Sequence, residues 1–317
     1  MPGRRHRRAP YSRVGAVSAV ATRVRDRRVA SVSVLGSAAL FGTAGTARAL
    51  LLPSAPAPGV AAARLLVGGI GFIAYVGRNA DGRRALARLW RRPIVWGMGL
   101  TVAAYQVFFF LSMARAGVAV GTLASLSFTP FMAGLLAWAL KEGAPGLVWA
   151  ISTVLAVGGL ALLTVGVGDQ RDLVGILFGV CAGASYGFYT VIGVRLARSG
   201  EHPTTILAAS ISIAGLVLLP VFVMSGDWWM SWSGLALILW LGLATTTLAY
   251  ALFGVGLAVL QPGHIATITL AEPVFATLLG VLVLGETLTA LGWLGCVVII
   301  VALGILGFSE RRDPVSR

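Results

Sequence analysis

The sequence predicts an all-α membrane protein with ten transmembrane helices, arranged as two inverted repeats of five helices each. Three observations predict this fold class. Of the 317 residues, 57% are hydrophobic and only 11% are charged, whereas soluble domains carry about 25% charged residues. Apolar runs of about 20 residues, the length of a helix that crosses a bilayer, occur ten times. One proline-containing segment of the first half also recurs in the second half.

The ten apolar runs are separated by short breaks that carry the charges, glycines and prolines expected of loops. Examples are the proline-rich stretch 53–59, the arginine-rich stretch 78–92 and the polar stretch 169–172. The predicted spans cover residues 31–51, 57–77, 93–112, 117–140, 146–167, 173–194, 203–224, 233–253, 263–284 and 288–308. This composition excludes a soluble globular enzyme, a disordered protein and a disulfide scaffold.

The basic residues predict the orientation of the spans. The net charge is +14, from 25 Lys and Arg against 11 Asp and Glu. With the N-terminus inside, the predicted cytoplasmic segments hold 21 of the 25 basic residues and the predicted external loops hold three. Because cytoplasmic loops of membrane proteins are enriched in Lys and Arg, we expect a multi-pass protein of the cell (inner or plasma) membrane with both termini in the cytoplasm. The positive net charge is explained by basic residues in the predicted cytoplasmic segments, so no nucleic-acid partner is expected.

An internal repeat divides the chain into two similar units. The residues that recur, in chain order, are Pro130, Ala133, Leu135, Leu136, Glu142 and Trp149, against Pro273, Ala276, Leu278, Leu279, Glu286 and Trp293. Each unit has five spans, and because five is odd, the second unit enters the bilayer upside down relative to the first. We therefore expect Glu142 at the cytoplasmic face and Glu286 at the external face. Inverted repeats around a midplane site are a recurrent plan of secondary transporters.

The repeat also predicts the domain organisation. The predicted segments are a basic, disordered cytoplasmic tail over 1–30, a first repeat over 31–167, a second repeat over 172–308 and a cytoplasmic C-terminal tail over 309–317. The basic N-terminal tail is expected to lie near anionic lipid. Two alternatives for this tail remain open, namely a translation start assigned too far upstream and a twin-arginine signal peptide around Arg27 and Arg28. Cleavage of such a signal after Ala49 would remove a span that the repeat requires.

The two units resemble the EamA repeats of the drug/metabolite transporter superfamily. The similar features are a proline in the fourth helix of each unit, the Leu284-Gly285-Glu286 ending of the second unit, Arg64 early in the second span, and the stretch 106–110 in the third. The first unit departs from the pattern, because Lys141 stands where glycine is typical. The resemblance covers about residues 31–308 and implies a transporter that exports or exchanges small metabolites or drugs. It also implies that the third, fourth, sixth and eighth spans surround a central cavity.

Glu272 is the first candidate functional residue, because it lies near the middle of the ninth span. A carboxylate at that depth costs several kcal/mol unless it is protonated, paired or in contact with water. We expect it to bind and release a proton or to bind a cationic substrate group. The alternative is a protonated structural glutamate, hydrogen-bonded to a neighbouring helix. Pro273 beside it, and Pro130 in the first unit, predict kinks about which gates bend, unless they are ordinary prolines of membrane helices.

Further polar groups on the spans are candidates for a substrate or proton pathway. Arg64 could balance Glu272 or bind a substrate carboxylate, and the two together would suit a zwitterion such as an amino acid. The alternative is that Arg64 snorkels to the external interface. His264 lies eight residues before Glu272. It could act as a proton relay or a gate, or it could be a packed or interfacial histidine. The remaining candidates, each of which could instead be a helix-packing contact, are Tyr105, Gln106, Tyr186 and Tyr250.

The sequence predicts neither a cofactor nor a metal site. Cys181 and Cys296 lie in apolar runs without metal partners at a usable spacing. There is no Walker loop, so uphill transport would have to use an ion gradient or exchange. We therefore expect a protein that is not an enzyme, and that exports a small amino-acid-like metabolite or a drug by alternating access. A small molecule and the lipid bilayer are the expected partners, and the sequence gives no oligomeric state.

Two alternatives to this function remain open. One is a passive facilitator or channel on the same fold. The other is an intramembrane serine hydrolase, because Gly183-Ala184-Ser185-Tyr186-Gly187 matches the GxSxG signature and Ser185 could pair with His264. The signature requires a strand–turn–helix setting, whereas here the string lies inside a span, where glycines at every fourth position have a packing explanation.

Overall fold

The computed structural model describes residues 12–140, 146–166, 172–260, 268–269 and 271–309, and the regular elements in these ranges are all helices. Seven continuous helical stretches among the described residues are long and apolar enough to cross a membrane, and one of them, Trp232–Gly256, runs through three consecutive elements. Three further apolar segments, Leu147–Leu163, Ala271–Leu282 and Ala290–Ile305, are shorter. The predicted all-α membrane architecture is confirmed, and the count of ten spans in two repeats stays a prediction.

The first half of the chain contains six helices. Their bounds are α1 Ser12–Leu51, α2 Ala57–Val76, α3 Ala80–Trp90, α4 Pro93–Ala116, α5 Val118–Ala139 and α6 Leu147–Gly166. Helix α1 begins at Ser12, whereas the sequence predicted a disordered tail through residue 30. No proline interrupts residues 12–30, so nothing stops the helix of the first span from propagating toward the N-terminus.

Helix α3 lies in the stretch 78–92, which the sequence predicted as a loop. The side chain of Asn79 begins the helix by accepting a hydrogen bond from the backbone N–H of Gly82 at 2.8 Å. Leu86 and Leu89 are buried against the bundle, and most of the arginines of this stretch face outward. The helix is therefore a short amphipathic element between two spans.

The second half contains α7 Leu173–Arg198, α8 Pro203–Met224, a 3-10 turn Trp228–Met230, α9 Trp232–Leu239, a π-helical segment Trp240–Leu248, α10 Ala249–Val259, α11 Ala271–Leu282 and α12 Ala290–Ser309. Helix α9, the π-helical segment and α10 follow one another without a break. A π-helical stretch of this kind is rare, and its i→i+5 hydrogen bonds displace backbone carbonyls from their usual partners.

The two halves pack against each other through corresponding helices. Helix α7 packs on α4 and α5, and α1 packs on α10 and α11. Helix α2 packs on α8, and α6 packs on α12. When the spans of the two halves are paired in chain order, the contacts of α7 correspond to the contacts of α1. The contacts of α2 with α8 and of α6 with α12 join paired helices directly.

Glycines allow the closest of these helix contacts. A Cβ atom on Gly183 would clash with the carbonyl oxygen of Ser125, and one on Gly187 would lie 2.9 Å from the backbone nitrogen of Ala133. The glycine stripe of α7 therefore lets α5 approach backbone to backbone, as a small-xxx-small pattern predicts.

Candidate functional site

A cavity of about 270 Å³ lies between helices of the two halves. Its lining residues are Phe41, Leu126, Thr129, Pro130, Tyr186, Tyr189, Leu207, Tyr250, Phe253, Thr269, Glu272, Pro273 and Leu303. Among the lining residues that the structure describes, Glu272 is the only one with a charged side chain. A mostly apolar cavity with a few polar groups is the usual form of a small-ligand site.

Glu272 faces this cavity from the first turn of α11. Its carboxylate forms no ion pair and no hydrogen bond with another residue that the structure describes. Glu272 is partly exposed, and a carboxylate in such a mostly apolar cavity without a protein partner is stable only when a proton, water or a cationic ligand occupies the space before it. Glu272 therefore lies next to a space that can hold such a group, and its role in a substrate or proton pathway stays a prediction.

The two predicted kink prolines both line the cavity. Pro130 lies inside α5, which continues on both sides of it. Because proline has no N–H, the carbonyl of Leu126 loses its helical partner there, and Leu126 also lines the cavity. Pro273 occupies the first turn of α11, a position at which a helix tolerates proline.

Arg64 is buried, with 4% of its surface exposed, and is not part of the cavity lining. Its Nε donates to Thr246 Oγ1 at 3.0 Å, its Nη2 to the carbonyl oxygen of Thr245 at 3.1 Å, and its Nη1 to Gln106 Oε1 at 3.4 Å. The guanidinium carbon also lies 5.9 Å from the ring centroid of Phe110. Arg64 thus neither snorkels to the interface nor pairs with a carboxylate among the described residues.

The π-helical segment supplies two of the three partners of Arg64. Within it, Thr246 Oγ1 donates to the carbonyl of Leu241, five residues earlier, at 2.8 Å. Gly68 on α2 makes the approach possible, because a Cβ atom there would lie 2.6 Å from Thr246 Cγ2. Thr245 and Thr246 were not among the predicted site residues, although three consecutive threonines in the middle of a predicted span are a visible signal.

Tyrosines connect the cavity to the surroundings of Arg64. The ring centroids of Tyr105 and Tyr186 are 4.9 Å apart, and those of Tyr186 and Tyr189 are 5.3 Å apart. Tyr186, Tyr189 and Tyr250 line both the cavity and an adjoining pocket of about 10 Å³. The other walls of this small pocket are Leu65, Val102, Tyr105, Gln106, Ile211 and Thr246.

The structure thus brings together most of the predicted site. Tyr105, Gln106, Tyr186, Tyr250 and Glu272 lie around one cavity and its adjoining pocket, and Tyr189 was not predicted. His264 and Glu142 lie outside the described residues.

Glu286 lies at the start of α5 and not in the cavity. Its carboxylate accepts hydrogen bonds from the backbone N–H groups of Val118 and Ala119, at 2.5 and 2.9 Å. A carboxylate on the first N–H groups of a helix satisfies unpaired donors and interacts favourably with the helix dipole. Gly117, with φ of 90°, and Gly280 leave room for this carboxylate, because a Cβ atom at either position would crowd it.

Ion pairs lie at both ends of the bundle. Arg115 Nε and Asp172 Oδ2 are 2.8 Å apart, and Arg88 and Arg92 each contact Glu201 at 3.2 Å. The pKa of Asp172 is lowered because the backbone N–H of Gly175 donates to its carboxylate and because Arg115 is beside it. These pairs tie loops and helix ends together away from the cavity.

Ser185 does not occupy the geometry of a serine nucleophile. It lies inside α7, and its Oγ donates to the carbonyl oxygen of Cys181 at 2.9 Å. A nucleophile elbow requires a turn between a strand and a helix, which this continuous helix does not provide. Within the part of the chain that the structure describes, no group of three or more His, Cys, Asp or Glu could hold a metal ion.

A larger cavity, of about 350 Å³, lies between α2, α4 and α8. Its walls are aliphatic side chains, Gly69, Ser212 and the rings of Trp90 and Trp96. Trp90 Nε1 donates to Ser212 Oγ at 3.2 Å, and Trp96 Nε1 donates to the carbonyl of Trp90 at 2.8 Å. The indole N–H groups are satisfied, and the described lining residues are mostly apolar.

Comparisons with known proteins agree with this architecture. Residues 173–308 match the sequence model of the EamA-like transporter family. The "Uncharacterized transporter YwfM" of Bacillus subtilis (strain 168) is 34% identical over 288 residues, which cover 90% of this chain and 96% of the relative. The "Threonine/homoserine exporter RhtA" of Escherichia coli (strain K12) is 30% identical over 274 residues, covering 86% and 88%.

Two further comparisons extend this result. The RhtA of Salmonella typhimurium (strain LT2), also a "Threonine/homoserine exporter", is 31% identical over 270 residues, covering 83% of this chain and 86% of the relative. A crystal structure of a protein whose activity its description does not give superposes with a TM-score of 0.62 at 20% identity, covering 91% of this chain and 99% of that one. At that identity the likeness shows the fold alone.

Proposed function

This chain belongs to the EamA-like transporter family, and we propose that it is a secondary transporter that exports a small amino-acid-like metabolite by alternating access. The observation that carries the proposal is the carboxylate of Glu272, which has no ion-pair or hydrogen-bond partner among the described residues and faces a cavity between the two halves. A transporter must hold its substrate at such a junction, where movement of one half against the other changes the accessible side.

The helix packing supports the inverted-repeat plan with ten spans. The contacts of α7 with α4 and α5 have counterparts in the contacts of α1 with α10 and α11. The contacts between α2 and α8, and between α6 and α12, pair corresponding helices directly. In such an arrangement, the second conformation of the protein would be reached when the two halves exchange their packing.

The described contacts support a closed state at the end of the bundle where α5 and α7 begin. Glu286 binds the start of α5 there, and Arg115 pairs with Asp172 just before α7. The cavity lies nearer the opposite end, because its lining includes Leu207 in the second turn of α8 and Leu303 in the second half of α12. The orientation inferred from the basic residues would make this opposite end cytoplasmic, as an exporter requires for loading.

The type of substrate is proposed from the relatives and from the charges around the cavity. RhtA proteins, which are 30–31% identical to this chain, carry the name threonine/homoserine exporter. Glu272 offers a negative group to an ammonium. Arg64 places a buried positive charge behind the tyrosines that line the cavity and its adjoining pocket. A zwitterion of the size of an amino acid satisfies both, which supports an amino-acid-like substrate over a hydrophobic drug.

The proposal is tested by export from cells. Cells that produce the protein are loaded with a panel of amino acids as dipeptides, and the appearance of each amino acid in the medium is compared with cells that carry an empty vector. We expect faster release of at least one amino acid, and loss of that difference in Glu272→Gln. Equal release of the whole panel in both strains would contradict the proposal.

A further inference from the structure

We propose that the side-chain amide of Gln106 binds the carboxylate of the substrate, and that Arg64 is a positioning residue that fixes the orientation of this amide. The inference rests on the proposed function, because it concerns an amino-acid-like substrate of the same cavity. The substrate carboxylate would bind the neutral amide of Gln106, a residue that the sequence alone could not distinguish from a packing residue. Arg64 would not contact the substrate directly.

The first step is the geometry of Arg64. A guanidinium has only donors, and all three of its nitrogen atoms already donate to neutral oxygen atoms of the protein. Arg64 lines neither the cavity nor the small pocket beside it. Three of its five N–H groups hold α2 to α4 and to the π-helical segment, and no part of the residue borders the space in which a substrate carboxylate would lie.

The second step is the orientation of Gln106. Because arginine cannot accept a hydrogen bond, the side-chain atom of Gln106 that faces Arg64 must be the carbonyl oxygen, as the distance of 3.4 Å to Oε1 records. The amide nitrogen is therefore on the side away from Arg64. Gln106 is 95% buried, with 5% of its surface exposed, yet its Nε2 donates to no residue that the structure describes. It lines the small pocket, which needs an acceptor to satisfy this donor.

The third step is the fit of a carboxylate oxygen. The small pocket, of about 10 Å³, has the volume that one water-sized group needs. It shares Tyr186, Tyr189 and Tyr250 with the main cavity. The positive charge of Arg64 behind Gln106 favours an anionic acceptor over a neutral one, because both lie in a medium of low dielectric constant.

Together these features describe a site with two poles. The ammonium of the substrate binds at Glu272, the carboxylate binds at Gln106 Nε2 in the small pocket, and the side chain of the substrate occupies the apolar part of the main cavity. The site therefore selects amino acids over amines of the same shape that lack a carboxylate.

The test compares an amino acid with its amino alcohol. Purified full-length protein in proteoliposomes is assayed for counterflow of L-threonine and of L-threoninol, and of the corresponding pairs for a panel of other amino acids. We expect the wild type to prefer the amino acid by about tenfold or more, the cost of one lost charge-assisted hydrogen bond. In Gln106→Met, which keeps the side-chain length but has no donor, this preference falls to less than about twofold.

Two variants separate binding from structure. Ser112→Ala, on the same helix α4 and equally buried but outside both pockets, keeps the wild-type preference. Arg64→Met releases the amide of Gln106, so it also loses the preference for the carboxylate while amino-alcohol transport persists. The inference is overturned if Gln106→Met lowers transport of acid and alcohol by the same factor, or if the wild type transports both equally.

The outcome also separates this inference from the function on which it rests. If the wild type transports an amino acid but Gln106→Met keeps the preference, the assignment of Gln106 fails and the exporter stands. If the wild type transports no amino acid of the panel, both fail together.

Discussion

Glu286 and Val118 are 168 residues apart in the sequence, and the backbone N–H of Val118 donates to the Glu286 carboxylate at 2.5 Å. The second oxygen of the same carboxylate accepts from Ala119 at 2.9 Å. A residue of the second half therefore caps a helix of the first half. This contact lies at the end of the bundle that we propose to be closed.

Removal of this cap is expected to destabilise the protein. Glu286→Ala leaves two N–H groups at the start of α5 without a side-chain partner, and we expect a loss of about 1–2 kcal/mol in the free energy of unfolding. Glu286→Gln keeps one acceptor and should lose about half as much. Thermal unfolding in detergent measures both, and equal stability of Glu286→Ala and wild type would contradict the capping role.

Glu272→Gln is expected to abolish the response of transport to a pH gradient. The amide has nearly the same shape but cannot bind and release a proton, and it attracts an ammonium much less than a carboxylate does. Flux is measured in proteoliposomes with and without a pH gradient, with Asp227→Asn in the exposed loop before α9 as the control. Wild-type flux of Glu272→Gln under both conditions would show that this carboxylate has no role in transport.

Asp172 is expected to make stability depend on pH below neutrality. The pKa of its carboxyl is held below the ordinary value of 3.8 in the folded protein, first by the N–H of Gly175 and then by Arg115. A lowered folded-state pKa stabilises the protein above the unfolded-state pKa, and this contribution is lost as the pH falls through the two values. The unfolding temperature of the wild type should therefore fall more than that of Asp172→Asn between about pH 5 and pH 3. Parallel curves would contradict this.

The orientation of the chain is tested by cysteine labelling. Asp81, at the start of α3, and Asp227 are exposed and lie on opposite sides of the proposed topology. In a variant without Cys181 and Cys296, we expect Asp81→Cys to react with an impermeant maleimide only after the cytoplasmic face is opened. Asp227→Cys should react in intact cells. Labelling of both from the same face would overturn the assignment of the termini to the cytoplasm.

The transporter and the serine hydrolase predict different behaviour of Ser185. Because its hydroxyl is held by the carbonyl of Cys181 within α7, we expect no labelling by a fluorophosphonate probe and unchanged transport by Ser185→Ala. Labelling of the wild type that is lost in Ser185→Ala would support a hydrolase.

The sequence predicted those parts of the site that depend on composition and depth. Glu272 stood out because charge is costly in a span, and the glycine stripe of α7 predicted a close helix contact. The partners of Arg64 could not be predicted, because the π-helical segment depends on how α2 and Gly68 pack against it. Helix α3 was missed because its arginines look like a loop, whereas its two buried leucines and the Asn79 cap make it a helix.

The orientation of the Gln106 side chain could not be predicted from the sequence either. The sequence placed it on the third span, but it could not show that Arg64 faces its carbonyl oxygen or that the residue lines a pocket. That depends on the packing of two helices whose contacting residues, Arg64 and Gln106, are 42 positions apart along the chain. Orientation of a polar group is thus a property of the packed structure.

Counterflow in proteoliposomes tests the central claim most directly. Vesicles that contain the purified protein and an excess of an unlabelled amino acid are diluted into trace labelled amino acid, and uptake of label is compared with vesicles loaded with buffer. An alternating-access transporter with its site at Glu272 predicts faster uptake in the preloaded vesicles, and no such acceleration in Glu272→Gln. Uptake that is equally fast with and without internal substrate would indicate an open pore, and it would contradict the account.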